Sequence, residues 1–259
     1  MSIPFYKCNA NGNSFIIVIG NNVNKEFFNK QNIKEICFTK DKEIVDGFIY
    51  VSIIDNKFIM DYYNNDGTWE TLCVNGLKCV SKLISINFNN NNSIIESNNI
   101  LYSTKILEKN LIEIELEEPC YKSTNLKVDK FKGDFINSGA KHFVVKYNAN
   151  WPETEKLEKI SRLIRFNSLI FPNGVNVNFY KVIDYNTIEV KTYEKGIESM
   201  MASCASGSYA CAYDFSKKQN ISGKINIIND GGFFNIIFNK NYKKNKLIGT
   251  AKIEYKGVL

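Results

Sequence analysis

Cys73 and Cys204 stand at the same kind of position. Over Tyr62–Leu83, YYNNDGTWETLCVNGLKCVSKL, a strand from Lys57 to Tyr63 runs into a polar turn, and Cys-Val-Asn-Gly opens a helix with apolar residues at Leu77, Val80, Leu83 and Ile84. The device recurs after a strand from Thr187 to Tyr193 and the turn Glu194-Lys195-Gly196. There Ser203-Cys204-Ala205-Ser206-Gly207 opens a helix of small residues, Ser208 to Ala212. A thiol at a helix opening faces unpaired backbone N–H groups and the positive end of the helix dipole, which can bring a cysteine pKa from ~8.5 down to ~3.5–7.5. Such a thiol acts as a thiolate, a base or nucleophile at neutral pH. The other cysteines, Cys8, Cys37, Cys79, Cys120 and Cys211, read as small buried hydrophobes.

The elements that must position these thiols are duplicated. Gly12-Asn13-Ser14-Phe15 before Ile-Ile-Val has a counterpart in Gly139-Ala140-Lys141-His142 before Phe-Val-Val, an offset of 139 − 12 = 127. Asp46-Gly47 matches Asn173-Gly174 at 174 − 47 = 127, Tyr63 matches Tyr193 at 130, and Cys73-x-x-Gly76 matches Cys204-x-x-Gly207 at 131. Four anchors in one order imply two similar lobes, each of strands with a principal and a secondary helix. In the first lobe the pattern predicts a secondary helix over Asn24–Phe38, a hairpin over Phe48–Ile54 and Lys57–Tyr63, and the principal helix over Gly76–Ser85. A surface loop over Asn87–Asn99 and a hairpin over Ile100–Ile106 and Leu111–Leu116 follow. In the second, helices are expected over Glu153–Ile164 and Gly207–Ser216, strands over Val175–Ile183 and Thr187–Tyr193, and hairpins over Lys224–Phe238 and Leu247–Tyr255. Glu118-Pro119 marks the linker, dividing the chain into residues 1–117 and 118–251.

Composition narrows the function classes. At 259 residues with 44% hydrophobic and 23% charged content, the chain reads as a soluble globular protein, and its aliphatic runs, such as Phe15–Ile19, are strand-sized. With no signal-like N-terminal segment, a cytoplasmic location is expected. Seven cysteines form an odd set without a disulfide framework, and one histidine with Cys73 and Cys79 six apart fits no metal site, so no metal is expected. The net charge of +6 comes almost wholly from dispersed lysines, Arg162 and Arg165 being the only arginines, which argues against a nucleic-acid partner. A membrane partner is likewise not expected, and homodimerisation is left open. No dinucleotide-binding fingerprint is present.

Asn64-Asn65-Asp66-Gly67 ahead of Cys73-Val74-Asn75-Gly76, and Tyr193-Glu194-Lys195-Gly196 ahead of Cys204-Ala205-Ser206-Gly207, resemble the paired signatures of the diaminopimelate epimerase family. Gly12-Asn13-Ser14-Phe15, Gly139-Ala140-Lys141-His142 and Phe171-Pro172 leading to Asn176 extend the match in family order over nearly the whole chain. The resemblance implies an α/β (α+β) fold of two pseudo-symmetric lobes facing each other across a cleft. Each lobe would be a curved, mainly antiparallel sheet around a central helix, and a last strand, about 252–259, would return to the first lobe. It implies an amino-acid racemase or epimerase that uses no pyridoxal phosphate or other cofactor. Inversion then needs a base on one face of the α-carbon and an acid on the other, the roles of Cys73 and Cys204. The substrate α-carboxylate would lie against the N–H groups of Val74, Asn75 and Gly76 and of Ala205, Ser206 and Gly207. Asn13, Asn64, Asn176, Glu194 and Lys195 would hold the far end, Glu194 taking the distal ammonium group, while His142 would support the cleft.

The sequence departs from the family pattern beside that centre. Lys195 stands where the family has arginine, Ala140 where asparagine is frequent, Val74 and Ala205 where glycine flanks each thiol, and Met200-Met201 where Glu-Thr is usual. A lysine does not reproduce a bidentate carboxylate fork. The substrate is therefore diaminopimelate or another free amino acid, histidine among them. Two other classes stay in view: an isomerase resembling phenazine-biosynthesis proteins, which use an acidic residue in place of a thiol pair, and an amino-acid-binding or thiol redox-switch protein.

Overall fold

The computed structural model describes residues 3–21, 23, 25–38, 43–108 and 110–259. In chain order the elements are β1 (Pro4–Ala10), β2 (Asn13–Ile19), a single 3-10 turn at Lys25–Phe27, α1 (Lys30–Cys37), β3 (Gly47–Ile54), β4 (Lys57–Asn64), β5 (Trp69–Glu70), α2 (Val74–Phe88), β6 (Asn92–Ser97), β7 (Ile100–Glu108) and β8 (Leu111–Leu116). They continue with β9 (Cys120–Val128), β10 (Phe131–Asn137), β11 (Lys141–Lys146), α3 (Thr154–Arg165), β12 (Asn176–Asp184), β13 (Thr187–Glu194), β14 (Ser199–Met201), α4 (Ala205–Gln219), β15 (Gly223–Asn229), β16 (Gly232–Phe238), β17 (Asn245–Thr250) and β18 (Lys252–Val258). Met1–Glu115 with Ile248–Leu259 forms one compact unit and Leu116–Leu247 a second.

In the first unit the strand order is β18-β1-β2-β3-β4-β6-β7-β8, with β5 alongside β4. Pairing is antiparallel except at β2–β3 and β4–β6, where α1 and α2 make the crossovers. In the second unit the order is β9-β10-β11-β12-β13-β15-β16, with β14 alongside β13, and the parallel pairs β11–β12 and β13–β15 are again bridged by helices. The second plan repeats the order β18-β1-β2-β3-β4-β6-β7 of the first, which adds β8.

Each sheet packs on one central helix and one outer helix. In α2 Leu77, Val80, Leu83 and Ile84 have no exposed surface, and in α4 every residue from Ala205 to Ser216 is buried. A helix buried all round belongs inside a layer of strands. The outer helices are amphipathic. Ile33 and Cys37 of α1 pack on Ile16, Val18, Phe48 and Tyr50, and Leu157 and Ile164 of α3 pack on Phe143, Val145, Val177 and Phe179. Asn29 caps α1, its Oδ1 accepting from the N–H groups of Gln31 and Asn32 at 3.1 and 3.0 Å.

Four expectations need correction. Both principal helices are longer than their apolar stripes, because Cys73 and Cys204 start them and Asn89 and Asn220, in left-handed conformation, stop them. The segment Asn87–Asn99 is no loop: α2 runs to Phe88, and Asn92–Ser97 is β6, with Ser93, Ile95 and Ser97 facing inward. The first secondary helix is α1 alone, preceded by the 3-10 turn; Asn24 lies outside the described residues. At the C-terminal end the expected hairpin resolves into β17 and β18, with β18 pairing antiparallel to β1 from Pro4↔Val258 to Asn9↔Lys252.

Candidate active site

Cys73 is the N-cap of α2, with extended backbone (φ −129°, ψ 101°), and its sulfur accepts from the Gly76 N–H at 3.3 Å. A Cβ at Gly76 would come within 2.7 Å of Ile49 Cδ1 and 3.0 Å of Met60 Cε, side-chain ends that would have to shift to admit it. The opening of α2 is tied to the β1–β2 hairpin by Asn75 Nδ2, which donates to Asn13 Oδ1. Asn13 Nδ2 in turn lies 3.5 Å from Asp46 Oδ2, which also accepts from the Ser14 N–H at 2.8 Å. Burial holds the Asp46 carboxyl above its ordinary range, against the hydrogen bonds from Ser14 and Asn13. Asn75 Oδ1 is buried and has no partner among the described residues.

Asn64, which ends β4, is buried and engaged with its own turn. It accepts from Tyr62 OH at 2.9 Å, and its Nδ2 lies 3.4 Å from Thr68 Oγ1. The fold thus brings Asn13, Asn75, Val74 and Gly76 together at Cys73, with Asn64 held in the turn that follows β4. Asp46 and Lys78 join this corner without having been singled out as site residues. Asp46 was visible only as half of a repeated Asx-Gly pair. Lys78 was detectable as a charge on the same helical stripe as Leu77 and Ser81.

The second unit repeats the device with a different lining. Cys204 is the N-cap of α4 (φ −130°, ψ 108°), and its sulfur sits 3.5 Å from Ser206 Oγ. Burial pushes the Cys204 thiol up to about 12, and the carboxylate of Glu194 adds to the shift. The expectation of a depressed pKa at a helix opening therefore fails for Cys204: desolvation and a neighbouring carboxylate outweigh the helix end. The carboxylate of Glu194 stands near enough to this thiol to interact with it.

Gly207 is required by Asn178, whose Oδ1 would collide with a Cβ there. Asn178 is itself fixed, accepting from Thr192 Oγ1 at 2.9 Å and placing its Nδ2 3.0 Å from His142 Nδ1. An amide nitrogen donates, so Nδ1 is the accepting nitrogen and Nε2 carries the proton; Nε2 has no partner among the described residues. Burial brings the His142 pKa down to about 3, keeping the ring neutral. Ser206 is anchored through its backbone carbonyl, which accepts from Ser138 Oγ at 2.8 Å.

Asn176 holds backbone: its Nδ2 donates to the Lys141 carbonyl at 3.2 Å and its Oδ1 accepts from the Lys195 N–H at 2.8 Å. The turn carrying Lys195 is further tied by Glu198, which bonds the Gly196 N–H at 3.0 Å and pairs with Arg165 at 2.8 Å. Arg165 is thus a structural ion pair, its guanidinium lying over Gly174 where a Cβ would collide. Among the described residues no helix is long and apolar enough to cross a membrane.

Two units of one topology, each opening its central helix at a cysteine, make up the diaminopimelate-epimerase-like fold, and the chain has that fold. It superposes on a hydroxyproline epimerase from Agrobacterium vitis with a TM-score of 0.78 at 9% identity, covering 100% of this chain and 92% of that one. A phenazine biosynthesis protein of the PhzF family from Enterococcus faecalis superposes with a TM-score of 0.69 at 13% identity, covering 100% and 99%. No family model matches the chain. By sequence the chain is a homologue of diaminopimelate epimerases: that of Aquifex aeolicus is 28% identical over 282 residues, covering 99% of this chain and 98% of the relative.

Proposed function

We propose that the protein is an amino-acid racemase or epimerase that inverts an α-carbon with two cysteines and no cofactor. The observation that carries this reading is the pair of cysteine N-caps, which differ by 1° in φ and 7° in ψ on two repeats of one topology (−129° and 101° against −130° and 108°). A single reactive thiol would not need the duplication; two proton-transfer groups acting on one carbon do. Cys204, buried and beside Glu194, is suited to hold a proton and deliver it as the acid. Cys73, half-buried and bonded by the Gly76 N–H, is suited to act as the thiolate base. The N–H groups at the two helix openings suit the negative charge that develops on the substrate carboxylate as the α-proton leaves. Asn75 Oδ1, a buried acceptor beside Cys73, suits the substrate ammonium group.

The substrate is diaminopimelate or another free amino acid, with histidine the leading alternative. The relatives favour diaminopimelate, while Lys195 and Ala140 favour an altered far-end pocket. Incubation in deuterium oxide with a panel of L-amino acids and LL-diaminopimelate tests the reading. Deuterium at the α-carbon accompanied by inversion is expected for at least one of them, and no exchange with any would overturn it.

A further inference from the structure

Three polar side chains lie in the sheet layer under α4: His142 of β11, Asn178 of β12 and Thr192 of β13, which are 0%, 0% and 1% exposed. His142 pairs with Asn176 across the parallel strands, and Asn178 pairs with Thr192. In the first unit Phe15 pairs with Gly47 and Ile49 with Tyr62, so the corresponding trio is Phe15, Ile49 and Tyr62. The helices support the match: Ile49 is what a Cβ on Gly76 would meet, and Asn178 is what a Cβ on Gly207 would meet. One unit therefore fills this layer with an aliphatic chain and two rings, Phe15 and Tyr62 edge to face at 6.1 Å, and the other with an imidazole, an amide and a hydroxyl. Buried polar groups cost free energy unless they are bonded, so the second trio needs a reason that packing does not give.

The bonds of the trio fix its polarity. Asn178 Nδ2 lies 3.0 Å from His142 Nδ1 and 3.4 Å from the Asn176 carbonyl oxygen, and Asn178 Oδ1 accepts from Thr192 Oγ1 at 2.9 Å. Turning the amide over would set its oxygen against the Asn176 carbonyl, acceptor against acceptor, so the nitrogen stays toward the imidazole. With Nδ1 accepting, the ring proton is on Nε2. Nε2 is buried and has no partner among the described residues.

We propose that Asn178 is a positioning residue of the second unit: it holds His142 in the Nε2–H tautomer, so that the chain's one imidazole is a fixed neutral hydrogen-bond donor and not a carrier of protons. The inference deepens the two-thiol reading, to which it leaves both proton transfers, and rests on that reading only for this consequence. Three core positions that are filled by rings and an aliphatic chain in one unit are polar in the other because a tautomer is set by hydrogen bonds, which hydrocarbon does not supply.

The test is nitrogen-15 magnetic resonance of the imidazole, which needs no assignment because the chain has a single histidine. In a long-range nitrogen–proton correlation Nε2 couples to both ring C–H protons and Nδ1 strongly to one, so the protonated nitrogen is identified directly. The wild type is expected to show Nε2 protonated and Nδ1 bare from about pH 8 to about pH 5. Mixed tautomers, a proton on Nδ1, or titration near the ordinary value of about 6.5 overturns the proposal. Asn178→Asp presents oxygen to Nδ1, and imidazole is the stronger base by about 2–3 pH units, so the proton is expected on Nδ1 in about nine-tenths of the molecules or more. A folded Asn178→Asp protein with Nδ1 still bare overturns the proposal too. If that variant does not fold, the coupling across the Asn178 Nδ2–H to His142 Nδ1 bond in the wild type takes its place: its presence is expected, and its absence overturns the proposal. Because no substrate enters, a protein that racemises nothing yet shows these spectra would defeat the proposed function and leave this inference standing.

Discussion

The two helix openings share a backbone and a glycine N–H directed at the thiol, and differ in most of what else sets charge. At Cys73 the neighbours are an N–H donor, a half-open surface and a buried lysine; at Cys204 they are a hydroxyl, a carboxylate and near-complete burial. The difference teaches that one repeated backbone can hold two thiols in unlike electrostatic surroundings. Two identical thiols would compete for the same protonation state. The proposed division into base and acid needs such unequal surroundings.

The largest expected effect comes from removing either thiol. Cys73→Ser and Cys204→Ser should each lower inversion by about a thousandfold or more, since serine at its free pKa is a far weaker base than a thiolate. They should differ in exchange. Cys204→Ser should still wash deuterium into the substrate hand facing Cys73, and Cys73→Ser should not; equal wash-in by both would break the assignment of base and acid.

Next in size is the packing beneath each opening. Gly207→Ala drives a methyl into Asn178, which is held by Thr192 and His142, whereas Gly76→Ala meets only the tips of Ile49 and Met60. Overpacking costs about 1–3 kcal/mol, and Gly207→Ala should lie at the upper end and Gly76→Ala at the lower, as measured by urea unfolding.

Acid should also separate the two units. His142 is neutral in the fold down to about pH 3, while in the unfolded chain it takes up a proton below about 6.5. The unfolded state then binds more protons, so stability falls as pH drops from 6.5 toward 3, at up to about 1.4 kcal/mol per pH unit. Asp214, raised to about 6 by burial, opposes this, because between its ordinary 3.8 and 6 the fold binds the extra proton. His142→Gln removes the first contribution and keeps the second. The stability gap between wild type and variant should therefore narrow steadily below pH 6.5, and a gap independent of pH would show that His142 is not buried neutral.

The smallest effect concerns the far end of the substrate. Lys195→Arg with Ala140→Asn should raise kcat/KM on LL-diaminopimelate a few-fold relative to the preferred substrate. If the wild type already prefers diaminopimelate strongly and the double variant gains nothing, Lys195 is a neutral replacement.

Much of this was legible in the sequence because the repeat carries its own punctuation: Asn-Gly at the first hairpin, a cysteine before each buried helix, glycine three residues on. What stayed hidden did so for physical reasons. In β6 the inward positions flanking Ile95 are serines, which bond Thr104 and the Thr71 carbonyl, so alternation was masked by polar residues amid asparagine. Lys78 reads as a solvated charge by type, and only its burial reveals otherwise. The neighbours of Glu194 and Asn176 stayed hidden because pairwise proximity is not written in sequence. The first faces a thiol, and the second bonds backbone on both sides.

The pairing of β1 with β18 joins residues more than 240 positions apart, with the whole second unit between them. The second unit is continuous and ends within β17, at residue 247; the first lacks everything from 248 on, and its edge strand β18 until 252–258 arrive. On a ribosome the order of folding is therefore reversed relative to the order of synthesis, the later half closing before the earlier one is finished. The corner holding Cys73 packs on the strand that waits longest for its partner, so a chain stalled before Lys252 would carry a finished Cys204 opening and an unfinished Cys73 corner.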